Sequence, residues 1–278
     1  MIILAHDGSL YGDWIAHYAV RFAAAEDDRK LLVLHVLDGK VNPDLVRLKL
    51  DRLAEGCRTR SIDYHAETLP FTADVYRSLR HAVPHDPDAL LLCGTRVKAK
   101  KQRFLSGTIA EKLLRIHQCP VLALRVVQPG LLGAPHELLL PLAGHAAGAT
   151  RFWPVLRRLL PELRTVHLFR VLNVHYLRHP HLSRRREEAL RQSGLRHLDD
   201  ILAELNAKLP AKGLLFNRRV AICSDWASEV LVQADRLKVQ MVLLGVSERS
   251  LAHRVLHGIG LEQILRETSS DIGIYRGP

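Results

Sequence analysis

The sequence has no long apolar run, and no stretch approaches the ~20 residues that a helix needs to cross a bilayer. Its first residues, MIILAHDGS, lack the basic segment and the small-residue cleavage site of a signal peptide. The four cysteines, at positions 57, 93, 119 and 223, show no CxxC or paired spacing, which suits a reducing compartment. We therefore expect a cytoplasmic protein.

The motifs of several enzyme classes are also missing. There is no G-x-S-x-G elbow of a serine hydrolase and no Walker A lysine pattern. The step Asp7-Gly8-Ser9 lacks the extra glycine of an SGGxDS pyrophosphatase loop. No general base or Mg²⁺-binding carboxylate cluster is evident, so the sequence does not indicate an enzyme.

Aromatic residues are scarce, at 5% of the chain, which disfavours stacking on single-stranded nucleic acid. The net charge of +11 is spread over both halves. Only two short basic clusters stand out, Lys98–Arg103 and Arg184–Arg186. A basic but ordinary surface is therefore favoured over a nucleic-acid partner.

Apolar runs alternate with amphipathic stretches, and this alternation predicts a parallel sheet covered by helices on both faces. Thr72 is the expected N-cap of the third helix. The predicted strands of the first half are Ile2–His6, Leu31–Val36, Ser61–Thr68, Leu90–Cys93 and Val121–Leu124.

The pattern then starts again after residues 127–136, which have a Pro/Gly-rich linker composition. Gly94 and Gly107 have equivalents at Gly245 and Gly258, offset by the same number of residues. At 278 residues the chain is long enough for two domains. We predict two tandem α/β domains, residues 1–126 and 137–278.

The segment Leu90–Arg125 has the most informative pattern. A buried strand ends at Gly94, and Ser106-Gly107-Thr108 opens a helix with Ile109, Leu113 and Ile116 on one face. Glycines beside a helix N-terminus let backbone N–H groups approach a phosphate, although the same residues also make an ordinary turn and helix cap.

This segment resembles the C-terminal half of a universal stress protein domain. The nucleotide signature of that family is glycine, two residues, glycine, nine residues, glycine, then Ser or Thr. The matching positions are Gly94, Val97, Gly107 and Thr108, with Val97 in place of the second glycine. A Cys-Pro pair before the last strand, Cys119-Pro120, also fits.

The resemblance implies doubly wound domains, each with a five-stranded parallel sheet of order 3-2-1-4-5, and a site for ATP or AMP with any accompanying Mg²⁺. Ala5 would line the adenine pocket, Asp7 would contact the ribose or adenine, and the Val36 backbone would face the adenine edge. The remaining contacts would come from Cys93, Gly94, Val97, Gly107, Thr108 and Ile109. The Val97 side chain fills space that glycine leaves to phosphate, and the basic loop around Lys98–Arg103 could offset that loss.

The second half fits the signature less well. Ala143 stands where the first half has Asp7, Glu248 replaces the second glycine, and Ile259 replaces Ser or Thr. We expect this half to keep the fold, to have lost ordinary ATP binding and to offer a partner surface. By resemblance, Pro120–Arg125 and Asp271–Tyr275 would pair within one chain as a built-in dimer, and a homodimer is also compatible.

A histidine group and one cysteine are the other candidates for chemistry. His175, His179 and His181 have no carboxylate or cysteine among them, so a solvated loop is favoured over a metal site. Cys223 has no neighbouring histidine in sequence, which favours a structural thiol over a nucleophile.

Three functions remain from the sequence. The first is a stress-response adenine-nucleotide binding protein that acts as a switch or partner-binding module, with at most slow ATP hydrolysis. The second is a scaffold for an unidentified protein partner, with both nucleotide sites degenerate. The third, a nucleic-acid-associated protein, would show a steep salt dependence of binding. The first is favoured.

Overall fold

The structure is a computed structural model that describes residues 1–95, 105, 107–142, 151–174, 182–209, 213–246 and 257–277. Its strands are β1 (Ile2–Ala5), β2 (Lys30–Leu37), β3 (Asp63–Pro70), β4 (Leu90–Gly94), β5 (Val121–Arg125), β6 (Glu137–Leu142), β7 (Thr165–Asn173), β8 (Leu215–Cys223), β9 (Met241–Gly245) and β10 (Asp271–Arg276). Its helices are α1 (Leu10–Ala24), α2 (Pro43–Arg58), α3 (Val75–Ala82), α4 (Ile109–Leu113), α5 (Trp153–Leu159), α6 (Arg184–Lys208), α7 (Trp226–Arg236) and α8 (His257–Glu267).

The strands of the described residues form one sheet, in the order β3-β2-β1-β4-β5-β10-β9-β6-β7-β8. Strand pairs inside each half are parallel, and the order 3-2-1-4-5 occurs twice. The predicted fold class is therefore confirmed. The central strands are apolar along their whole length because helices cover both of their faces.

The helices divide between the two faces of the sheet as right-handed crossovers require. One core lies under α1, α2, α5 and α6, and the other lies under α3, α4, α7 and α8. Each core contains residues from both halves, so the two hydrophobic layers run through the junction without interruption.

The halves join where β5 pairs with β10 in antiparallel fashion, with Leu124 opposite Gly273. This is the pairing of last strands that the resemblance implied. An arginine from each of the two strands also donates a hydrogen bond to a backbone carbonyl of the other half. Arg125 donates to the carbonyl of Thr268 at 3.4 Å, and Arg276 donates to the carbonyl of Cys119 at 3.0 Å. Each arginine thus reaches the segment that precedes the other half's last strand.

Asp271 is a fully buried carboxylate at this junction. It accepts hydrogen bonds from the Tyr18 hydroxyl at 2.6 Å and from the backbone N–H groups of Val127 and Gln128 at 2.7 and 2.8 Å. Burial raises the pKa of Asp271, and these three donors oppose the rise because they favour the ionised form. One side chain of the second half therefore fixes α1 and the start of the segment between the halves.

Ion pairs reinforce the same contact on the α1 side. Arg21 lies 2.5 Å from Glu162, and Arg158 lies 2.6 Å from Glu26, so each half supplies one cation and one anion. Arg158 is buried among residues of the other half, where it also donates to the carbonyl of Asp88 at 3.1 Å. A buried cation of this kind needs both partners, since an unpaired charge there would carry its full desolvation cost.

The segment predicted as a linker is packed against the first half. Gly133 has a φ of +75°, and a Cβ atom there would lie 2.7 Å from the backbone nitrogen of Tyr18. The Leu132 carbonyl accepts a hydrogen bond from Arg21 at 2.8 Å. The Pro/Gly-rich composition therefore serves a close backbone approach rather than a free tether.

Two local predictions were wrong. Thr72 does not cap the third helix, because Asp74 accepts the backbone N–H of Arg77 at 2.8 Å and takes the N-cap position. Ile109 does not lie on the buried face of α4. Its side chain is 40% exposed, whereas Ala110 and Leu113 are buried. Both errors concern helix ends, where a shift of one or two residues changes the face that a side chain occupies.

We expect Asp271→Ala to lower the free energy of unfolding by roughly 3 kcal/mol or more, because it leaves several buried donors without an acceptor, at ~1–3 kcal/mol each. Tyr18→Phe removes one donor and leaves both backbone bonds, so its loss should be about 1 kcal/mol. Denaturant unfolding at neutral pH measures both values. Equal losses for the two variants would contradict the role assigned to the carboxylate.

Candidate functional site

The predicted site residues of the first half meet at one edge of the sheet. Ala5 and Asp7 lie at the carboxyl end of β1, Val36 is the second-last residue of β2, and Gly94 ends β4. Because β1 pairs with β2 on one side and with β4 on the other, the strand order reverses there. A crevice at such a reversal is where ligands bind in doubly wound sheets. Val97 and residues 98–104 lie outside the described residues.

Asp7 forms an exposed turn that leads into α1. Its Oδ1 accepts the backbone N–H of Ser9 at 3.0 Å and the Ser9 hydroxyl at 2.6 Å. Ser9 in turn caps α1 by accepting the N–H of Gly12 at 3.1 Å. The carboxylate is therefore held in one orientation at the crevice, where it can accept hydrogen bonds from a ligand's hydroxyl or amino groups.

His6, which was not among the predicted site residues, supports this turn through a hydrogen bond to its backbone. The Gly8 N–H donates to His6 Nδ1 at 3.0 Å, so the ring proton lies on Nε2, which donates to Asp13 at 3.1 Å. The His6 backbone is also bonded: its N–H donates to the Leu34 carbonyl at 2.9 Å, and its carbonyl accepts from His35 Nδ1 at 2.8 Å. A histidine at the end of an otherwise apolar strand was the available signal.

Asp13 connects the histidine to a cation on α2. Its second oxygen lies 2.5 Å from Lys49 Nζ, and the Lys49 side chain is mostly buried. Burial lowers the pKa of His6, and the nearby carboxylates of Asp13 and Asp7 only partly oppose that shift. The neutral ring is therefore the form that fits the structure.

Gly12 was also missed, although a glycine inside a helix is a signal in itself. A Cβ atom at Gly12 would lie 2.7 Å from Asp7 Oδ1 and 3.1 Å from His6 Nε2. Gly8 has a φ of +76°, and a Cβ there would lie 3.0 Å from Val46 Cγ2. Both glycines are needed because side chains of neighbouring elements occupy the space beside them.

The first signature glycine packs against an aromatic ring. A Cβ atom at Gly94 would lie 3.1 Å from the Tyr11 ring, whose hydroxyl accepts the Val126 N–H at 2.8 Å. In the second half, Gly245 has the same relation to Phe152, at 2.5 Å. Ring packing therefore explains the glycine at this position in both halves, whether or not a ligand binds there.

The third glycine begins a helix cap. Gly107 has a φ of +74°, and its N–H donates to the Glu111 carboxylate at 2.6 Å. Thr108 is the N-cap of α4: its hydroxyl accepts the Glu111 N–H at 3.2 Å and donates to the Leu105 carbonyl at 2.6 Å. This is a capping box shifted by one residue. A phosphate at this N–H would have to replace the carboxylate.

Among the other predicted contact residues, only some atoms are accessible to a ligand. The Cys93 side chain is buried in the core, where burial raises the pKa of its thiol to about 12, so only its backbone is available. Val36 is buried as well, and its carbonyl already accepts the Asp38 N–H at 2.9 Å. Ile109, by contrast, is exposed beside Thr108.

Four exposed apolar side chains form an apolar rim at the carboxyl edge of the first-half sheet, where the crevice lies. Leu10 and Ile109 begin helices, Leu37 ends β2 and Phe71 follows β3, and each is at least 40% exposed. An apolar rim around an exposed carboxylate suits a flat, partly apolar ligand or a protein surface.

The corresponding edge of the second half is only partly described. Ala143 and Glu248, which depart from the signature, lie outside the described residues, as do His175, His179 and His181. Gly258 lies within α8, whereas Gly107 precedes α4, so the two positions differ in backbone setting. The absence of nucleotide binding in this half stays a prediction.

Other chemistry finds no support in the part of the chain that the structure describes. No group of three potential metal ligands occurs among those residues. Burial raises the pKa of the Cys223 thiol, which disfavours the thiolate that a nucleophile requires. None of the described helices is both long and apolar enough to cross a membrane.

The comparisons with known proteins agree with this architecture. No protein-family model matches the sequence, and no curated protein matches it. Among solved structures, a universal stress protein from Archaeoglobus fulgidus DSM 4304 is similar, with a TM-score of 0.62 and 13% identity over 98% of this chain and 95% of that one.

Two further structures are similar over the whole length. A protein from Pseudomonas aeruginosa UCBPP-PA14, provisionally described as a universal stress protein, has a TM-score of 0.60 and 14% identity over 99% of this chain and 92% of that one. The cytoplasmic domain of a prokaryotic cation chloride cotransporter has a TM-score of 0.56 and 11% identity over 99% and 94%. The chain therefore consists of two tandem copies of the universal stress protein fold, joined through their last strands.

Proposed function

We propose that the chain is a cytoplasmic protein of the universal stress protein type that binds an adenine nucleotide, ATP or AMP, in the crevice of its first half. The observation that supports the proposal is that the Asp7 turn follows β1 and the Gly107-Thr108 cap begins the helix after β4, and these two strands pair at the strand-order reversal. The second half serves as a structural partner, and the bound nucleotide acts as a switch for an unidentified protein partner.

Each contact has a chemical reason. An oriented carboxylate at Asp7 accepts from ribose hydroxyls or from the adenine amino group. Backbone N–H groups near Gly107, with a positive φ, can turn toward a phosphate once the Glu111 carboxylate moves aside. Any Mg²⁺ would arrive with the phosphates. The proposal is one of binding, with at most slow hydrolysis.

A second candidate is a protein-interaction module that holds no nucleotide. Two observations favour it: the Tyr11 ring fills the space beside Gly94, and Glu111 already occupies the Gly107 N–H. The fold also serves as the cytoplasmic domain of a cation chloride cotransporter, as the description of that structure states. The apolar rim of the crevice would then contact a protein partner.

The proposal predicts that freshly purified, undialysed protein releases an adenine nucleotide, at about one per chain, which mass spectrometry identifies. Calorimetric titration with ATP, ADP and AMP should give a matching stoichiometry. Asp7→Ala should weaken affinity at least tenfold, about 1.4 kcal/mol. Asp225→Ala is the control, because Asp225 lies at the start of α7 in the second half and its carboxylate also accepts the N–H and the hydroxyl of a serine, Ser228, at 3.3 and 2.5 Å.

No released nucleotide and no heat with any of the three at millimolar concentration would contradict the proposal and favour the interaction module. Equal weakening by Asp7→Ala and Asp225→Ala would place the ligand outside the first-half crevice.

The glycines of α1 and α2 offer a matched pair. Gly56 has open space where a Cβ would be, so Gly56→Ala should stabilise the protein by about 0.5–1 kcal/mol. Gly12→Ala has the same helix propensity gain, but its Cβ displaces the Asp7 carboxylate. We expect Gly12→Ala to forfeit most of that gain and to weaken nucleotide binding about tenfold.

Thermal unfolding and calorimetry measure the two effects. Gly56→Ala should leave the affinity unchanged. If Gly12→Ala stabilises as much as Gly56→Ala and binds nucleotide normally, the packing of Asp7 against α1 is not needed for the site.

A further inference from the structure

We propose that His6 is a positioning residue for the crevice, and that nucleotide binding requires its ring to be neutral. This inference rests on the proposed function, because it concerns the affinity of the same site. The ring lies beneath the Asp7 turn and is buried, with 4% of its surface exposed. Its Nδ1 accepts the Gly8 N–H, so the ring acts through the Asp7-Gly8-Ser9 turn.

The directions of the hydrogen bonds determine which nitrogen of the His6 ring carries the proton. A backbone N–H can only donate, so the Gly8 N–H requires a lone pair on His6 Nδ1. The other nitrogen, Nε2, then carries the proton that it donates to Asp13. Protonation of the ring would place a second donor at Nδ1, directly opposite the Gly8 N–H, and that contact would become repulsive.

The rest of the residue is held in place and cannot easily move to relieve this contact. The backbone N–H and carbonyl of His6 are both bonded to residues of β2, to the Leu34 carbonyl and to the His35 ring. Its Nε2 is held by Asp13, which Lys49 fixes from α2. The strain of a protonated ring therefore falls on Gly8 and on the Asp7 carboxylate attached to the same turn.

Charged and titratable groups from three elements face the His6 ring or its partner Asp13. Asp7, from its own turn, and Asp13, from α1, favour the protonated form. His35, from β2, disfavours it, as does burial, which has the largest effect and lowers the pKa of His6. Lys49 reduces the influence of Asp13 by pairing with it. The neutral form thus prevails at neutral pH, and it is lost only when the pH falls below the folded pKa of His6, which is lower than the usual value of 6.5.

The sign for stability follows from the same shift. Because the pKa of His6 is lower in the folded protein, the unfolded chain takes up the proton first as the pH falls. Stability therefore decreases as the pH falls through the unfolded value of 6.5 and stops decreasing below the folded pKa. A ligand that requires the neutral ring loses affinity only below the folded pKa.

Two substitutions separate the roles of the ring nitrogens. The amide oxygen of His6→Asn can stand at the place of Nδ1 and accept the Gly8 N–H without titrating. The longer His6→Gln places its amide near Nε2, so it can bond Asp13 while leaving the Gly8 N–H without an acceptor.

The experiment measures AMP affinity by calorimetry between pH 5 and 8 for the three proteins. For the natural protein we expect affinity to fall by up to tenfold per pH unit below the folded pKa of His6, relative to His6→Asn. The phosphate of AMP titrates equally with both proteins, so their ratio isolates the histidine. His6→Gln should bind about tenfold more weakly than His6→Asn at pH 7.5. Parallel pH profiles for the natural protein and His6→Asn would overturn the inference.

A nuclear magnetic resonance titration without nucleotide keeps this test separate from the proposed function. The Gly8 amide and the His6 ring should shift together, with one midpoint below 6.5, and the Gly8 shift should be lost in His6→Asn. Coupled shifts without any nucleotide binding would contradict the proposed function while leaving the histidine's control of the turn intact. Independent behaviour of the two signals would overturn the inference even if nucleotide binds.

Discussion

The antiparallel pairing of β5 with β10 joins two sheets that would otherwise each end in an open edge at this position. Unpaired edge strands are costly to leave exposed when they are apolar, and both strands here are buried. The buried carboxylate of Asp271 secures the joint by accepting donors from α1 and from the segment between the halves. Neither half presents this surface to solvent while the other is in place.

This junction stabilises the second half through contacts with the first. The core of the second half is continuous with that of the first half on both faces of the sheet, and its α5 supplies Arg158 to a buried pair with Glu26. The fold of the second half therefore depends on packing and ion pairs that both halves supply.

In the first crevice, three glycines are required for three different physical reasons. Gly94 makes room for the Tyr11 ring, Gly107 takes a left-handed conformation before a helix cap, and Gly12 leaves space for Asp7. Only the second of these would have to turn toward a phosphate. A glycine signature therefore indicates the fold of this edge more directly than it indicates a ligand, and the carboxylate of Asp7, held by Ser9 and supported by His6, is the more specific feature.

The strand and helix pattern and its repetition were predictable from the residues, because apolar runs that must be covered on both faces leave few alternatives, and the resemblance supplied the strand order. The placement of Asp7, Gly94 and Gly107 at one edge was predictable as well, since parallel strands end on the same side. Which groups occupy the space around these residues follows only from the tertiary structure. Contacts such as those of His6 with Gly8 and Asp13, or of Asp271 with Tyr18, join atoms whose meeting depends on side-chain packing, and no local pattern encodes that.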